Sequence, residues 1–549
     1  MKEYAALYAI SLLHRTSLRN RKPVRNMDGK IDDGIELNNI GTKLKSDDND
    51  MARLGKTPRN FGFMSVLGFS CTVLITWEGL VIQFSQGLAN GGPAGMIYGY
   101  IFAWIGTLSI FLTLAEAVSM APTSGGQYHW VSMLAPAQYQ KFLSYTTGWL
   151  TVLGWQAFVA SVGYLIGAMT QGLIILTDPT YEPHPWHTVM LYWGVVVFGV
   201  LVNTVISSWL PKFESLILIL HVVGFFAILF PLVILGPHAQ PSQVFQTFIN
   251  SGDWPTNGLS FFVGLLGNVF AFFGADGAIH MSEEIRGAAR IVPKAIVFSV
   301  VLNGVLGFGM AIALLFCIGD LDAALHTPTG YPFIEIFYQG VQNLTGAVLM
   351  TSLIITLSLC ATVGIVASAS RQLWAFSRDR AIPGWNYLQQ VNSKSAIPVL
   401  AVFVTTITAF LMSLIVLGSS TVFNDVVSLS IVGLFGSYFP VAVLLLWRRT
   451  RGDIKLHASS EDVLTNVPGA ELVWGPWRIP GVCGVINNGI TILYIIIVFF
   501  FSLWPPTNHP TAATMNYSSL MFGATMIFSV FYYRLRARKV YTGPVIEVG

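Results

Sequence analysis

Two short runs set an acidic side chain beside glycine within otherwise apolar sequence: Thr76-Trp77-Glu78-Gly79 and Phe272-Phe273-Gly274-Ala275-Asp276-Gly277. An ionised carboxylate at the centre of a bilayer costs about 2.5–3.5 kcal/mol on insertion scales, so Glu78 and Asp276 are expected to face protein or a water-filled path. Each needs a cation. No Lys or Arg falls within the middle of an apolar stretch, which leaves a solute, a coupling proton or a helix terminus as the partner. Trp77, Phe272 and Phe273 add aromatic faces, and such faces attract a quaternary ammonium with about 2 kcal/mol when desolvated. Trp77 beside Glu78 therefore fits a cage for a choline-like head, and equally the rings fit ordinary core packing. Glu78 can be a direct counter-ion, a coupling or structural group, or a lining bystander. Asp276, between two glycines, fits either the site or a cap on the helix that follows it.

The elements that must carry these runs are membrane helices. Apolar residues make up 53% of the 549 and charged residues only 10%, well below the roughly 25% of soluble domains. Twelve apolar stretches are expected at about 61–84, 95–121, 143–176, 188–208, 214–235, 258–282, 294–318, 345–376, 398–417, 422–447, 483–504 and 515–534. About 20 helical residues cross a hydrocarbon core of about 30 Å, and none of the stretches alternates with the period of two that a barrel strand requires. The fold class is thus all-α integral membrane. All 30 Lys and Arg fall in the N-terminal tail, the even-numbered gaps and the C-terminal tail or at the stretch ends that border them, with none in the other six gaps. The positive-inside rule then places both termini in the cytoplasm.

The two acidic runs sit at similar depths in the first and sixth stretches. Matching interruptions point to an inverted repeat, 61–235 and 258–447, with additional helices over 483–534 in a twelve-helix domain of 61–535. Breaking a helix at mid-depth frees backbone groups that only a cavity or other protein can satisfy, so the breaks are the expected binding site. Thr76, Gly79 and Ala275 belong to it with the residues already named. Residues 1–60 read as a disordered cytosolic tail and 536–549 as a second tail. Met1–Leu13 is compatible with a weak targeting segment, although the first membrane stretch can direct insertion itself.

Other polar groups admit two readings each. Glu116 is either a gating residue or an interfacial one that meets water. His280, one turn past Asp276, is a proton relay or a satisfied core histidine. Glu283 and Glu284 precede Arg286, Arg290 and Lys294, forming either an ion-pair cluster at a cytoplasmic gate or solvated loop charge. Gly125-Gly126 permits a tight turn, and Asn343-Leu344-Thr345 fits a glycosylation acceptor.

Four stretches resemble the amino acid, polyamine and organocation superfamily, in particular its fungal amino acid and choline permeases. They are Ala271–Ala278 with Met281-Ser282-Glu283-Glu284-Ile285, Pro122-Thr123-Ser124-Gly125-Gly126-Gln127-Tyr128-His129-Trp130, Ser370–Asp379, and Trp474-Gly475-Pro476-Trp477-Arg478-Ile479-Pro480. The resemblance implies a leucine-transporter-like 5+5 inverted repeat plus two helices, alternating access and proton symport. It also exposes a departure: amino acid permeases of this kind carry a small Gly-rich first break whose bare N–H groups hold a carboxylate, whereas this chain has Trp77-Glu78-Gly79. A solute carboxylate would meet a ring and a like charge, unless Glu78 is protonated. The departure favours an organic cation such as choline over 4-aminobutyrate or a standard amino acid.

Enzymes are disfavoured, since no His-Glu-x-x-His, Gly-x-Ser-x-Gly or phosphate-binding Gly-rich loop occurs. Neither a cofactor nor a metal is implied, because the four cysteines are scattered. Nucleic acid is not an expected partner, because the basic residues are spread over separate membrane-flanking segments. The expected partners are a small amine or amino acid, a coupling proton and the lipid bilayer. A non-transporting nutrient sensor would share these features. The expected location is the plasma membrane, with a vacuolar membrane as the alternative.

Overall fold

The computed structural model describes residues 62–206, 209–392, 397–418, 420–456, 466–512 and 514–545. The N-terminal tail and its targeting reading lie outside the described residues. So do 546–549.

The chain builds helices wherever a long apolar run allows every backbone hydrogen bond to close within the segment. Among the described residues, ten helices are long and apolar enough to cross a membrane. In order, the helices that matter here are α1 (Phe63–Leu74), α2 (Thr76–Ile82), α3 (Phe84–Ala89), α4 (Gly92–Met120), α5 (Gln127–Leu134), α6 (Gln140–Thr177), α7 (Pro185–Thr204) and α8 (Leu210–Leu235). They continue as α9 (Asn257–Phe270), α10 (Gly277–His280), α11 (Ala288–Phe316), α12 (Leu344–Arg378), α13 (Val399–Ser413), α14 (Ser420–Arg451), α15 (Gly481–Ser502) and α16 (Ser518–Tyr532). Among the described residues, extended structure is limited to a parallel pair of two-residue strands, Ile454–Lys455 with Leu472–Val473, and an isolated bridge between Asn90 and Asn250, which the period-two test could not see.

Local signals set the ends. Pro93 opens α4, and the Asn343 side chain caps α12 by accepting the Gly346 N–H at 3.1 Å, which accounts for an asparagine there without a glycan. α14 ends on Arg448, Arg449 and Arg451, whose charge complements the helix dipole.

Side chains sort as a bilayer requires. Leu201, Leu216, Ile219, Ile234 and Ile527 are exposed on the outside of the bundle, while Glu78, Glu116, Glu214, Asp276 and His280 are fully buried inside it. This inverts the soluble pattern, because lipid and not water covers the flank.

The C-terminal segment is docked. Beyond α16, the Tyr541 ring is fully buried against Tyr145 and its hydroxyl meets Ser144 Oγ at 2.7 Å. The Val545 N–H then donates to Asp379 at 2.9 Å, while the Tyr128 hydroxyl donates to the other Asp379 oxygen at 2.7 Å. Burial pushes the Asp379 carboxyl up to about 6, against the pull of Arg378 and of these two hydrogen bonds.

Candidate functional site

The first break falls at Ile75, between α1 and α2. Its φ of 35° and ψ of 49° put a β-branched residue in the left-handed region, a strained choice that marks the bend. Thr76-Trp77-Glu78-Gly79 does not itself form the interruption: the Gly79 N–H donates to the Ile75 carbonyl at 2.7 Å, so this run is the first turn of α2. The N–H groups ahead of Gly79 in that turn lack acceptors within the helix, and that of Thr76 finds Asn303 Oδ1 on α11 at 3.4 Å.

The second break lies where the sequence places it. After Phe270 the chain makes two tight turns, Phe272 N–H to the Val269 carbonyl and Phe273 N–H to the Phe270 carbonyl, each 3.1 Å. Gly274 then takes φ +101°, where a Cβ would also meet Phe158 at 2.9 Å and Val73 at 3.0 Å. Only glycine fits.

The two breaks touch. A Cβ on Gly79 would lie 3.4 Å from the Ala271 Cα, and Val73, two residues before Ile75, packs on both Gly274 and Gly277. Aromatic rings line the junction. Phe273 meets Phe158 edge-on at 4.7 Å, and Phe272 lies 5.0 Å from Tyr100.

Glu78 has a partner that a search for Lys and Arg passes over. Its Oε1 lies 2.7 Å from His221 Nδ1 on α8, both side chains are buried, and Glu78 Oε2 and His221 Nε2 have no hydrogen-bond partner. Trp77 packs on the same histidine at 5.8 Å and on Phe225 at 6.2 Å. Seven residues earlier on α8, Glu214 accepts a hydrogen bond from the Thr72 hydroxyl while its Oε1 is unpartnered. Both residues stand in an apolar stretch, two helical turns apart on one face. That spacing was the signal available for them.

Asp276 occupies the N-cap position of α10 but makes no capping bond. Its φ of −70° and ψ of −7° are helical, which keeps the carboxylate from folding back onto the first turn. Instead Oδ2 accepts from Gln127 Nε2 at 2.9 Å. His280 is a satisfied core residue. Its Nδ1 donates to the Ser124 carbonyl at 2.9 Å and its Nε2 accepts from Trp155 Nε1 at 3.0 Å, an arrangement that requires the neutral ring.

The loop before α5 thus grips the second broken helix. Gly126, at φ +54°, lets the loop approach Ile279 and His280 closely. The Ser124 N–H donates to Glu283 at 3.0 Å. Ion pairs extend this closure to α12, with Glu283 to Arg378 at 3.2 Å and Glu284 to Arg371 at 2.7 Å. Burial opposes ionisation of Glu283, yet Arg378 and the Ser124 N–H hold its carboxyl below the usual range. The expected cluster with Arg286, Arg290 and Lys294 is therefore replaced by one with α12, and Arg286 is exposed. Glu116 does not meet water either. It pairs with Arg449 at 2.5 Å and accepts the Ile479 N–H at 2.8 Å, tying α4 to the segment before α15.

Residues 61–527 match the amino acid permease family. The chain belongs to this family. Relatives of this permease include a choline transporter of Saccharomyces cerevisiae, 28% identical over 88% of this chain and 82% of the relative. Amino-acid permease 2 of Neurospora crassa is 26% identical over 92% of this chain and 90% of its own length. A GABA-specific permease of S. cerevisiae is 26% identical over 93% and 88%. A permease moves solutes across a membrane and is not an enzyme, and this one is a multi-pass integral membrane protein.

Proposed function

We propose that this permease imports a small organic cation, choline or a close relative, by alternating access and together with a proton. The proposal takes the chain as a twelve-span, leucine-transporter-like 5+5 inverted repeat with two further helices and cytoplasmic termini. The contact between two broken helices, with the buried carboxylate of Glu78 beside one of them, carries this reading. No Lys or Arg competes for that charge in mid-bundle, and a neutral His221 leaves Glu78 Oε2 free for an ammonium. The Trp77 ring supplies a face for the head group.

Thr76, Gly79, Phe272, Phe273, Gly274, Ala275 and Asp276 complete the proposed pocket. Glu214, whose hydrogen-bond partner is a neutral hydroxyl, is the proposed acceptor of the coupling proton, because it is acidic, enclosed and separate from Glu78. Glu283, Glu284, Arg371 and Arg378 form the inner gate, shut here, with Glu116 as a brace and His280 holding the loop. Inward opening breaks these ion pairs as α10 swings from the loop.

A second reading, import of 4-aminobutyrate or another amino acid, requires Glu78 to be neutral so that a solute carboxylate can approach. Uptake of radiolabelled choline in cells lacking their own permeases, competed with 4-aminobutyrate, basic amino acids and polyamines at two pH values, tests between them. Saturable choline uptake that is stronger at acid exterior pH supports the proposal. Uptake of 4-aminobutyrate with no choline uptake overturns it.

A further inference from the structure

We infer that the permease has a second, exterior binding site for organic cations, built around Asp425 where α14 begins; the inference rests on the cation-import reading above and on its orientation. A cavity of about 310 Å³ is lined there by Ser85 and Gln86 of α3, Asp425 and Ser428 of α14, and Phe501 and Trp504 at the end of α15. Gln86 stands eight residues beyond Glu78, about 12 Å at the rise of a helix, and the cavity wall on α9 reaches Leu266, six residues before Phe272. The cavity therefore lies on the outer side of both breaks.

Its chemistry is that of a cation site. Among the described residues Asp425 is the one ionisable group in the wall, and the residue is 6% exposed. Oδ2 accepts the Tyr517 N–H at 2.7 Å, while Oδ1 has no hydrogen-bond partner among the described residues. No Lys or Arg occurs in any of the six gaps on this side, so no permanently charged basic side chain of the permease stands there to neutralise the carboxylate; the gaps' basic groups are histidines, and none of them is among the residues lining the cavity. The exterior gaps do hold acids, including Asp178, Glu182, Asp320 and Asp322, and a surface of one sign concentrates ions of the other near a cleft. Trp504, held by Trp254 at 5.3 Å and Phe501 at 5.5 Å, contributes a fixed aromatic face. A carboxylate and an aromatic face in one recess suit an alkylammonium, whereas a neutral solute of the same shape gains only the apolar part.

The test is made on the full chain in intact cells. Ser85→Cys is reacted with a membrane-impermeant thiol reagent in the presence of choline or its uncharged isostere 3,3-dimethylbutanol. Choline should slow the reaction several-fold and the alcohol should not. Asp425→Asn, which keeps an acceptor for the Tyr517 N–H, should abolish this protection, and Trp504→Leu should weaken it. Glu78→Gln should leave protection in place while uptake is lost. In uptake itself, Asp425→Asn should raise KM severalfold at low ionic strength with the maximal rate retained, a difference that salt removes. Equal protection by the alcohol, protection that survives Asp425→Asn, or protection lost with Glu78→Gln overturns the site. If wild type shows Asp425-dependent protection but no choline uptake, the import reading fails and the exterior site stands.

Discussion

Glu214 and His221 stand seven residues apart on α8, facing Thr72 below the bend at Ile75 and Glu78 above it. The acid and the base thereby bracket a strained residue, which places the proposed coupling proton beside the bend. Glu214→Gln keeps a partner for the Thr72 hydroxyl and cannot take a proton. On the proposed mechanism it should leave choline uptake measurable but flat between pH 5 and 7.5, where wild type should decline; an unchanged pH profile would remove Glu214 from the coupling step. Asp379, outside the membrane, offers a cleaner titration. Its folded carboxyl sits at about 6, above the ordinary 3.8, so its contribution is fully present below pH 3.8 and is lost as pH rises through 6. Asp379→Asn does not titrate. Its thermal stability relative to wild type should therefore rise between pH 4.5 and 7.5, by about 2 kcal/mol, and parallel melting curves would contradict the assignment. Glu283 shifts the opposite way and loses its contribution only as pH falls below the usual carboxylate range, so it leaves this window clear. Little of this was legible in the sequence. Glu78 and Asp276 announced themselves by sitting beside glycine, but their partners His221 and Gln127 come from distant helices that only the folded bundle brings near.

At the scale of elements, apolar length and punctuation place the helices well, because a bilayer permits few alternatives to a closed backbone ladder. The breaks are harder. The sixth is legible in its own residues, since Gly274 needs a positive φ, whereas the first bends at an isoleucine that local preference would never choose and that tertiary packing imposes. Two substitutions separate these cases. Gly274→Ala forces a Cβ toward Phe158 and Val73 at an angle that alanine rarely adopts, and should cost about 1–3 kcal/mol and most of the uptake. Gly79→Ala, helical and in ordinary contact with Ala271, should keep at least half of the uptake with normal surface level. Equal loss in both would place the interruption at Gly79 after all. The gate shows the same division. Glu283 and Glu284 were visible as charges, but their arginines lie about ninety residues away on α12, beyond the reach of neighbour-based pairing.

At the scale of the molecule, charge and hydropathy define the object before any single residue does. In the proposed topology every Lys and Arg falls to one face, the other carries acids and histidines, and the flank exposes apolar side chains. On the proposed orientation such a body holds an acidic mouth over a buried carboxylate and keeps its Lys and Arg for the inner gate. In the proposed mechanism it attracts organic cations, admits them to the junction of the breaks and releases them when the Arg378 and Arg371 pairs open. That account stands on Glu78 as the counter-ion. Uptake of radiolabelled choline by Glu78→Gln, with surface level measured on the same cells, tests it most directly. Transport should vanish while the protein still reaches the surface; wild-type uptake by that variant would contradict the account.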